Sequence, residues 1–121
     1  MNNQPSVDID DYQDTFMFIK TDRQYVKVFY EDIHYIKGMK DYVVIHTTDK
    51  KYMTAMNVKT ILSQLPSEYF ARISKSYIIQ IKQIRSIGTD TIYTEKHELP
   101  LGPSYKENFI EKYVKTNLVS R

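Results

Sequence analysis

The sequence predicts a mainly β domain of antiparallel sheets, with one short internal helix and a second helix at the C-terminus. Three observations support this prediction. Short β-prone runs follow one another at close spacing, with turn residues between them. Eleven Tyr residues and many β-branched residues favour strands. Helical spacing of apolar residues occurs in only two segments of the sequence.

The first fourteen residues differ in composition from the rest of the chain. They contain four Asp, a Pro and no Lys or Arg, and they lack regular apolar spacing. We therefore expect residues 1–14 to be an acidic flexible tail or an interdomain linker, and residues 15–121 to be the folded domain. Without those four Asp the chain holds 17 basic and 11 acidic residues, a formal charge of +6. This charge favours a polyanionic partner, although a solvated lysine-rich surface has the same composition.

The folded part opens with a series of predicted strands. The turn sequences between the first five predicted strands include TDRQ, KGMKD and TDKK. Two later predicted strands are separated by GTD. The predicted strands are residues 16–19, 25–30, 33–37, 42–47, 52–54, 84–87 and 91–94, with a last short one at Leu99.

The two predicted helices have recognisable ends. In the first, Asn57 is a suitable N-cap and Pro66 stops the helix, with apolar residues at helical spacing between them: Val58, Ile61, Leu62 and Leu65. In the second, Ser104 and Glu107 have the spacing of a capping box. Its apolar stripe is Phe109, Ile110, Tyr113 and Val114.

Residues 70–84, FARISKSYIIQIKQI, combine two kinds of sequence. From Tyr77 onward the residues are typical of a core strand, and Ile73 is also expected to be buried. The polar residues 74–76 are expected in a turn that points out of the core. Arg72 before them could contact a phosphate or pair with a carboxylate such as Glu68.

The sequence offers no positive sign of an enzyme, a cofactor or a metal site. There is no Cys, there are only three Gly, and no phosphate-loop, dinucleotide or nucleophile-elbow motif occurs. His34, His46 and His97 lack the pairwise spacing of zinc ligands. The chain has no signal peptide and no apolar run long enough to span a membrane, so we expect a cytoplasmic protein.

Three segments in this order resemble the LytTR DNA-binding domain, the output module of many bacterial two-component response regulators. They are YEDIHYIKGMKDYVVIHT, NVKTILSQLPSEYFARISKSYIIQIKQIRSI and ELPLGPSYKENF. The resemblance covers about residues 16–116. It implies an elongated fold of antiparallel sheets that reads the major groove with loops and turns rather than with one recognition helix.

The resemblance also implies which residues face double-stranded DNA. They are Lys37, Met39, Lys40 and Tyr42 in a first turn, Arg72, Ser74, Lys75 and Ser76 in a second, and Ser104 and Lys106 in a third. The third turn departs from the family, because Gly102-Pro103 stands where a basic pair is common. An anion could still bind there, at Lys106 or at the helix N-terminus.

The function expected from the resemblance is sequence-specific DNA binding in transcription control. A receiver domain outside this chain would promote dimerisation on adjacent half-sites, and the domain alone would be a weakly associating monomer. Two alternatives remain at this point. A Tyr-rich sheet could stack on RNA or single-stranded bases, although no RNP-type run is present. A protein-interaction module that has lost DNA binding is the other alternative, and the Gly102-Pro103 departure favours it.

Overall fold

The computed structural model describes residues 15–119, so the predicted tail 1–14 lies outside the described residues. The described strands are β1 (Phe16–Thr21), β2 (Gln24–Phe29), β3 (Ile33–Gly38), β4 (Val43–Thr47), β5 (Lys51–Thr54), β6 (Phe70–Arg72), β7 (Tyr77–Gln80), β8 (Ser86–Ile87), β9 (Thr91–Tyr93) and β10 (Glu98–Pro100). The α-helices are α1 (Val58–Gln64) and α2 (Pro103–Phe109), and α2 continues as a π-helical turn, Ile110–Val114, and a 3-10 turn, Lys115–Asn117. No helix in the described part is long and apolar enough to cross a membrane.

The strands form three antiparallel sheets. A five-stranded sheet in the order β5-β4-β3-β7-β6 lies between a β1-β2 hairpin and a three-stranded sheet in the order β10-β9-β8. Every pairing between neighbouring strands is antiparallel. The predicted mainly β fold with two helices is therefore confirmed.

The central strands of the five-stranded sheet are buried on both faces, because a separate core packs against each face. Consecutive side chains of a strand point to opposite sides and therefore enter different cores. In β7, Ile78 packs into a first core with the β1-β2 hairpin and α1. Its neighbour Ile79 packs into a second core with the three-stranded sheet and α2. Phe70 and Ala71 of β6 divide between the two cores in the same way. This explains why the central strands are almost continuously apolar rather than alternating.

An irregularity in β3 changes which of its side chains point into each of the two cores. The pairing with β4 shifts between Ile33 and Tyr35, as in a β-bulge. Ile33 and Ile36 consequently both reach the first core, while Tyr35 reaches the second. A regular strand would have placed Ile33 and Tyr35 on the same face.

The two helices begin differently. The side chain of Asn57 accepts a hydrogen bond from the Thr60 N–H at 2.8 Å, so the predicted N-cap of α1 is confirmed. The predicted cap of α2 is wrong: Gly102 is the N-cap, and Ser104 lies inside the first turn without a capping hydrogen bond. The helix begins two residues earlier than predicted, at Pro103, whose fixed φ suits the first helical position.

Candidate nucleic-acid interface

Three turns lie side by side at one end of the five-stranded sheet. The strand register brings the β3-β4 turn next to the β6-β7 turn, because Lys37 of β3 lies opposite both Val44 and Tyr77. The β10-α2 turn lies on the other side of the β6-β7 turn. We call residues 37–42, 72–76 and 102–106 the three-turn surface.

Backbone hydrogen bonds join the three turns. The Gly38 N–H donates to the Ser76 carbonyl at 2.7 Å and links the first turn to the second. The Gly102 N–H donates to the Ile73 carbonyl, also at 2.7 Å, and links the third turn to the second. Three patches that are distant in sequence therefore form one continuous surface, with the β6-β7 turn at its centre.

Arg72 shapes the central turn. Its Nε–H donates to the Ser74 carbonyl at 3.1 Å and its Nη2 donates to the Lys75 carbonyl at 2.6 Å. The guanidinium carbon lies 5.4 Å from the centre of the Tyr105 ring in α2, within cation–π range. The ion pairs formed between described residues are Arg85–Glu95 and Lys115–Glu111, so the alternative of an Arg72–Glu68 pair is not observed.

The serines of the central turn reinforce this shape. The Ser76 N–H donates to the Ser74 hydroxyl at 3.3 Å. Both serines are half-buried, Ile73 before them is fully buried, and Lys75 is exposed at the tip of the turn. The turn therefore holds one exposed cation on a backbone that its own side chains fix in place.

The first turn adds a second exposed cation. The Met39 N–H donates to the Tyr42 carbonyl at 2.8 Å and closes the hairpin, which leaves Met39 and Lys40 exposed. Lys37 is half-buried, and its Nζ lies 5.7 Å from the centre of the Tyr77 ring. Tyr42 is half-buried as well. Lys40 and Lys75 are thus the cations of the first two turns most accessible to a partner.

The third turn presents less charge than the other two. Lys106 is half-buried, and its Nζ donates to the Thr89 carbonyl at 2.7 Å, in the turn between β8 and β9. Ser104 is exposed. A contact between Lys106 and DNA would require this hydrogen bond to be exchanged for one to a phosphate.

Two of the histidines, His46 and His97, pack against Tyr35 of the second core. The His46 ring stacks on the Tyr35 ring at 4.1 Å between centres, and the His97 ring meets its edge at 5.0 Å. Burial, aided by the positive charge of Lys51 and of other nearby groups, lowers the pKa of His46 to about 4. Within residues 15–119 no group of three or more His, Cys, Asp or Glu could hold a metal ion.

Sequence reasoning missed the residues that hold the turns together. It named Arg72 as a candidate contact but not as the side chain that fixes its own turn, and it did not identify Tyr105 as its stacking partner. It also missed why Gly38 and Gly102 lie in these turns. A Cβ at Gly38 would overlap Val58 Cγ2, and one at Gly102 would lie 3.2 Å from the Tyr105 ring. The sequence did contain a signal for these close contacts, because two of its only three glycines fall in candidate turns.

The fold is a mainly β domain in which three turns meet at one end of the five-stranded sheet. The family model of the LytTr DNA-binding domain matches residues 23–113. The chain belongs to the LytTr DNA-binding domain family, whose members serve in transcription regulation. The resemblance to this family is confirmed, and so is the general function that it implies, DNA binding in transcription regulation. The DNA-facing residues that it implies stay a prediction.

Curated relatives and a solved structure agree with this assignment. The transcriptional regulatory protein YpdB of Escherichia coli K12 is 26% identical over 86 residues, which cover 71% of this chain and 35% of YpdB. YpdB of Shigella flexneri matches equally well. The chain thus spans about a third of the length of these relatives. A LytTr DNA-binding domain from Bacillus cereus has a TM-score of 0.71 at 16% identity, covering 80% of this chain and 94% of that one, so the two share a fold.

Proposed function

We propose that this chain binds double-stranded DNA through the three-turn surface and is the DNA-binding part of a response regulator that controls transcription. The observation that carries the proposal is the junction of the three turns by the hydrogen bonds from Gly38 and Gly102. The resulting surface projects from the end of a sheet whose central strands are buried on both faces.

The central turn suits insertion into a major groove. Its backbone is already fixed by Arg72 and Ser74, so little conformational entropy is lost when DNA binds. Lys75 at its tip can donate to guanine O6 and N7 or to a phosphate, and Lys40 can do the same from the first turn. Ser76 and Ser104 supply hydroxyl groups that can bind phosphate oxygens.

A binding titration tests the proposal. The wild-type chain first selects a duplex from a random pool, and fluorescence anisotropy then measures its affinity over a range of salt concentrations. We expect Lys75→Ala and Lys40→Ala each to weaken binding by about 1–3 kcal/mol where the lysine contacts a base, with altered base preference. A lysine that contacts only phosphate should instead weaken binding to all sequences and make the log–log salt slope shallower by about 0.9.

Lys82→Ala is the matched control. Lys82 is exposed and follows β7 at the end of the sheet opposite to the three turns, so its loss changes the net charge equally without touching the proposed surface. Equal binding by wild type and both surface variants, at equal salt slopes, would contradict the proposed surface. Stronger competition by single-stranded RNA or DNA than by duplex would favour the alternative of a single-strand binder.

The regulatory setting is a second part of the proposal. The relatives named above are about three times as long as the matched segment, which leaves room for another domain in a parent protein. We place a receiver domain there, which on phosphorylation pairs two copies on adjacent half-sites in the bacterial cytoplasm. Sedimentation of the parent protein on duplexes with one or two half-sites tests this. A stoichiometry of one copy on the two-site duplex after phosphorylation would contradict it.

A further inference from the structure

A basic groove runs along the edge strand β5, outside the three-turn surface. It is an open groove of about 860 Å³ between the β1-β2 turn, the β4-β5 turn and β5 itself. Its lining contains four cationic side chains and a single carboxylate, that of Asp22. The cations are Lys20, Arg23, Lys50 and Lys51, all of them exposed. The groove is therefore a concave positive surface that the assigned contacts do not use.

The turn at one end of this groove has an unusual backbone. Thr21 pairs with Gln24, so only two residues form the turn of the β1-β2 hairpin. Asp22 and Arg23 have φ angles of 49° and 64°, the conformation that Asn-Gly normally adopts in such hairpins. Asp tolerates a positive φ, whereas a long side chain such as Arg rarely occupies it. A strained residue that persists at a turn tip points to a function of its side chain.

The register places this turn at the same end of the molecule as the three-turn surface. Thr54 of β5 lies opposite Val43, the first residue of β4 after the β3-β4 turn. The Thr54 hydroxyl donates to the Lys20 carbonyl at 2.8 Å, at the base of the β1-β2 turn. Lys50 lies four residues before Thr54, which is about 13 Å along an extended strand. Arg23 and Lys20 are therefore at the near end of the groove, and Lys50 is at its far end.

We propose that the β1-β2 turn contacts the phosphate backbone of the same duplex, beside the bases read by the three-turn surface, with Arg23 at its tip and Lys20 at its base. This inference rests on the proposed function and names a further contact for it. An Arg guanidinium binds phosphate oxygens through two parallel N–H donors. The contact would fix the position and orientation of the domain on DNA without reading sequence.

Arg23→Gly separates binding from folding. Gly accepts a positive φ without strain, so the variant should unfold at the same or a higher temperature than wild type. Its affinity for the selected duplex should nevertheless fall about fivefold at 0.15 M salt, because one lost phosphate contact makes the salt slope shallower by about 0.9. Lys20→Gln should change affinity in the same direction. Lys50→Gln removes the same charge at the far end of the groove and is the matched control.

Duplex length supplies a second measurement. The selected duplex is shortened from each end in turn, and the affinities of wild type and Arg23→Gly are compared on each fragment. Shortening at one end should weaken wild type and leave Arg23→Gly unchanged, since the variant has already lost the contact with that flank.

Each remaining outcome decides against the inference. If Lys75→Ala weakens binding and Arg23→Gly does not, the three-turn surface stands and the β1-β2 contact is overturned. If Lys50→Gln and Arg23→Gly weaken binding equally, net charge explains the effect and no local contact exists. If wild type binds no duplex, the proposed function fails and this inference fails with it.

Discussion

At the scale of single residues, two cations of the central turn have different roles although they stand three positions apart. Lys75 is exposed, while the guanidinium of Arg72 bends back to two carbonyl groups of its own turn. The planar fork of Arg can reach both carbonyls at once, which a Lys ammonium on a flexible chain does poorly. Arg72 thus fixes the backbone that carries Lys75, and under the proposed function it would act on DNA binding through that backbone.

Substitution of Arg72 by Lys tests this role. The charge remains but the double hydrogen bond is lost, so we expect the free energy of unfolding to fall by about 1–2 kcal/mol. DNA affinity should fall as well, with the salt slope nearly unchanged because the number of phosphate contacts is the same. Chemical denaturation and salt-dependent anisotropy measure the two effects.

Tyr105→Phe is a suitable control for that experiment, since it keeps the ring that faces Arg72 and removes only the hydroxyl. It should leave both stability and affinity close to wild type. A different result would show that Arg72 itself contacts a phosphate. In that case Arg72→Lys would bind DNA with full affinity, and only Arg72→Gln, which removes the charge, would have a shallower salt slope.

At the scale of elements, local patterns in the sequence predicted most strands and turns, and contacts between distant segments changed the rest. Residues 84–87 were predicted as a strand, but only Ser86–Ile87 pair with β9. A 3-10 turn at Ile81–Gln83 precedes them, and the Gln80 side chain caps it by accepting from the Lys82 N–H at 2.7 Å. Phe70–Arg72 form a strand that the sequence does not predict separately. These residues are a strand because they pair with β7, which is a contact and not a local pattern.

The junction between β3 and α1 depends on a missing side chain. Gly38 ends β3 and faces Val58, the first residue of α1, so closely that a Cβ would overlap the Val58 Cγ2 methyl. Its N–H also holds the Ser76 carbonyl. Position 38 therefore sets the packing of α1 through its missing side chain and the approach of two of the three turns through its N–H.

Substitution of Gly38 by Ala should destabilise the fold by about 1–3 kcal/mol, since the new methyl group overfills a packed contact. Val58→Ala removes the opposing methyl groups, so the double variant should lose less stability than the sum of the two single variants. Urea denaturation of the four proteins measures this coupling. Additive losses would mean that the strain at position 38 does not come from Val58.

At the scale of the whole molecule, the sequence indicated the three candidate turns but not that they meet. Their contact depends on the register of β3 with β7 and on the hydrogen bond from Gly102 to Ile73, two long-range features that no local pattern encodes. The same sheet separates two cores, and its second face carries Tyr35 with the stacked His46 ring. The stability of that face should depend on pH.

Protonation of His46 should destabilise the native protein. Burial and nearby positive groups lower the pKa of His46 from 6.5 to about 4 in the folded state, so between these values the unfolded chain binds more protons. Stability from this residue is fully present above pH 6.5 and is lost as the pH falls through 4. Allowing for partial solvent exposure, we expect a loss of about 1–2 kcal/mol across that window.

The variant His46→Phe isolates this contribution from that of other groups. The variant keeps an aromatic ring against Tyr35 but cannot titrate. The pKa of His34 is also lowered, by burial and by the positive charges of His97 and Lys96, but His34 is present in both proteins. Chemical denaturation at pH 7, 5.5 and 4 should therefore show a smaller loss of stability in the variant than in wild type. Equal losses would mean that His46 is already protonated in the native protein at pH 5.5, and that its stack on Tyr35 tolerates the charge.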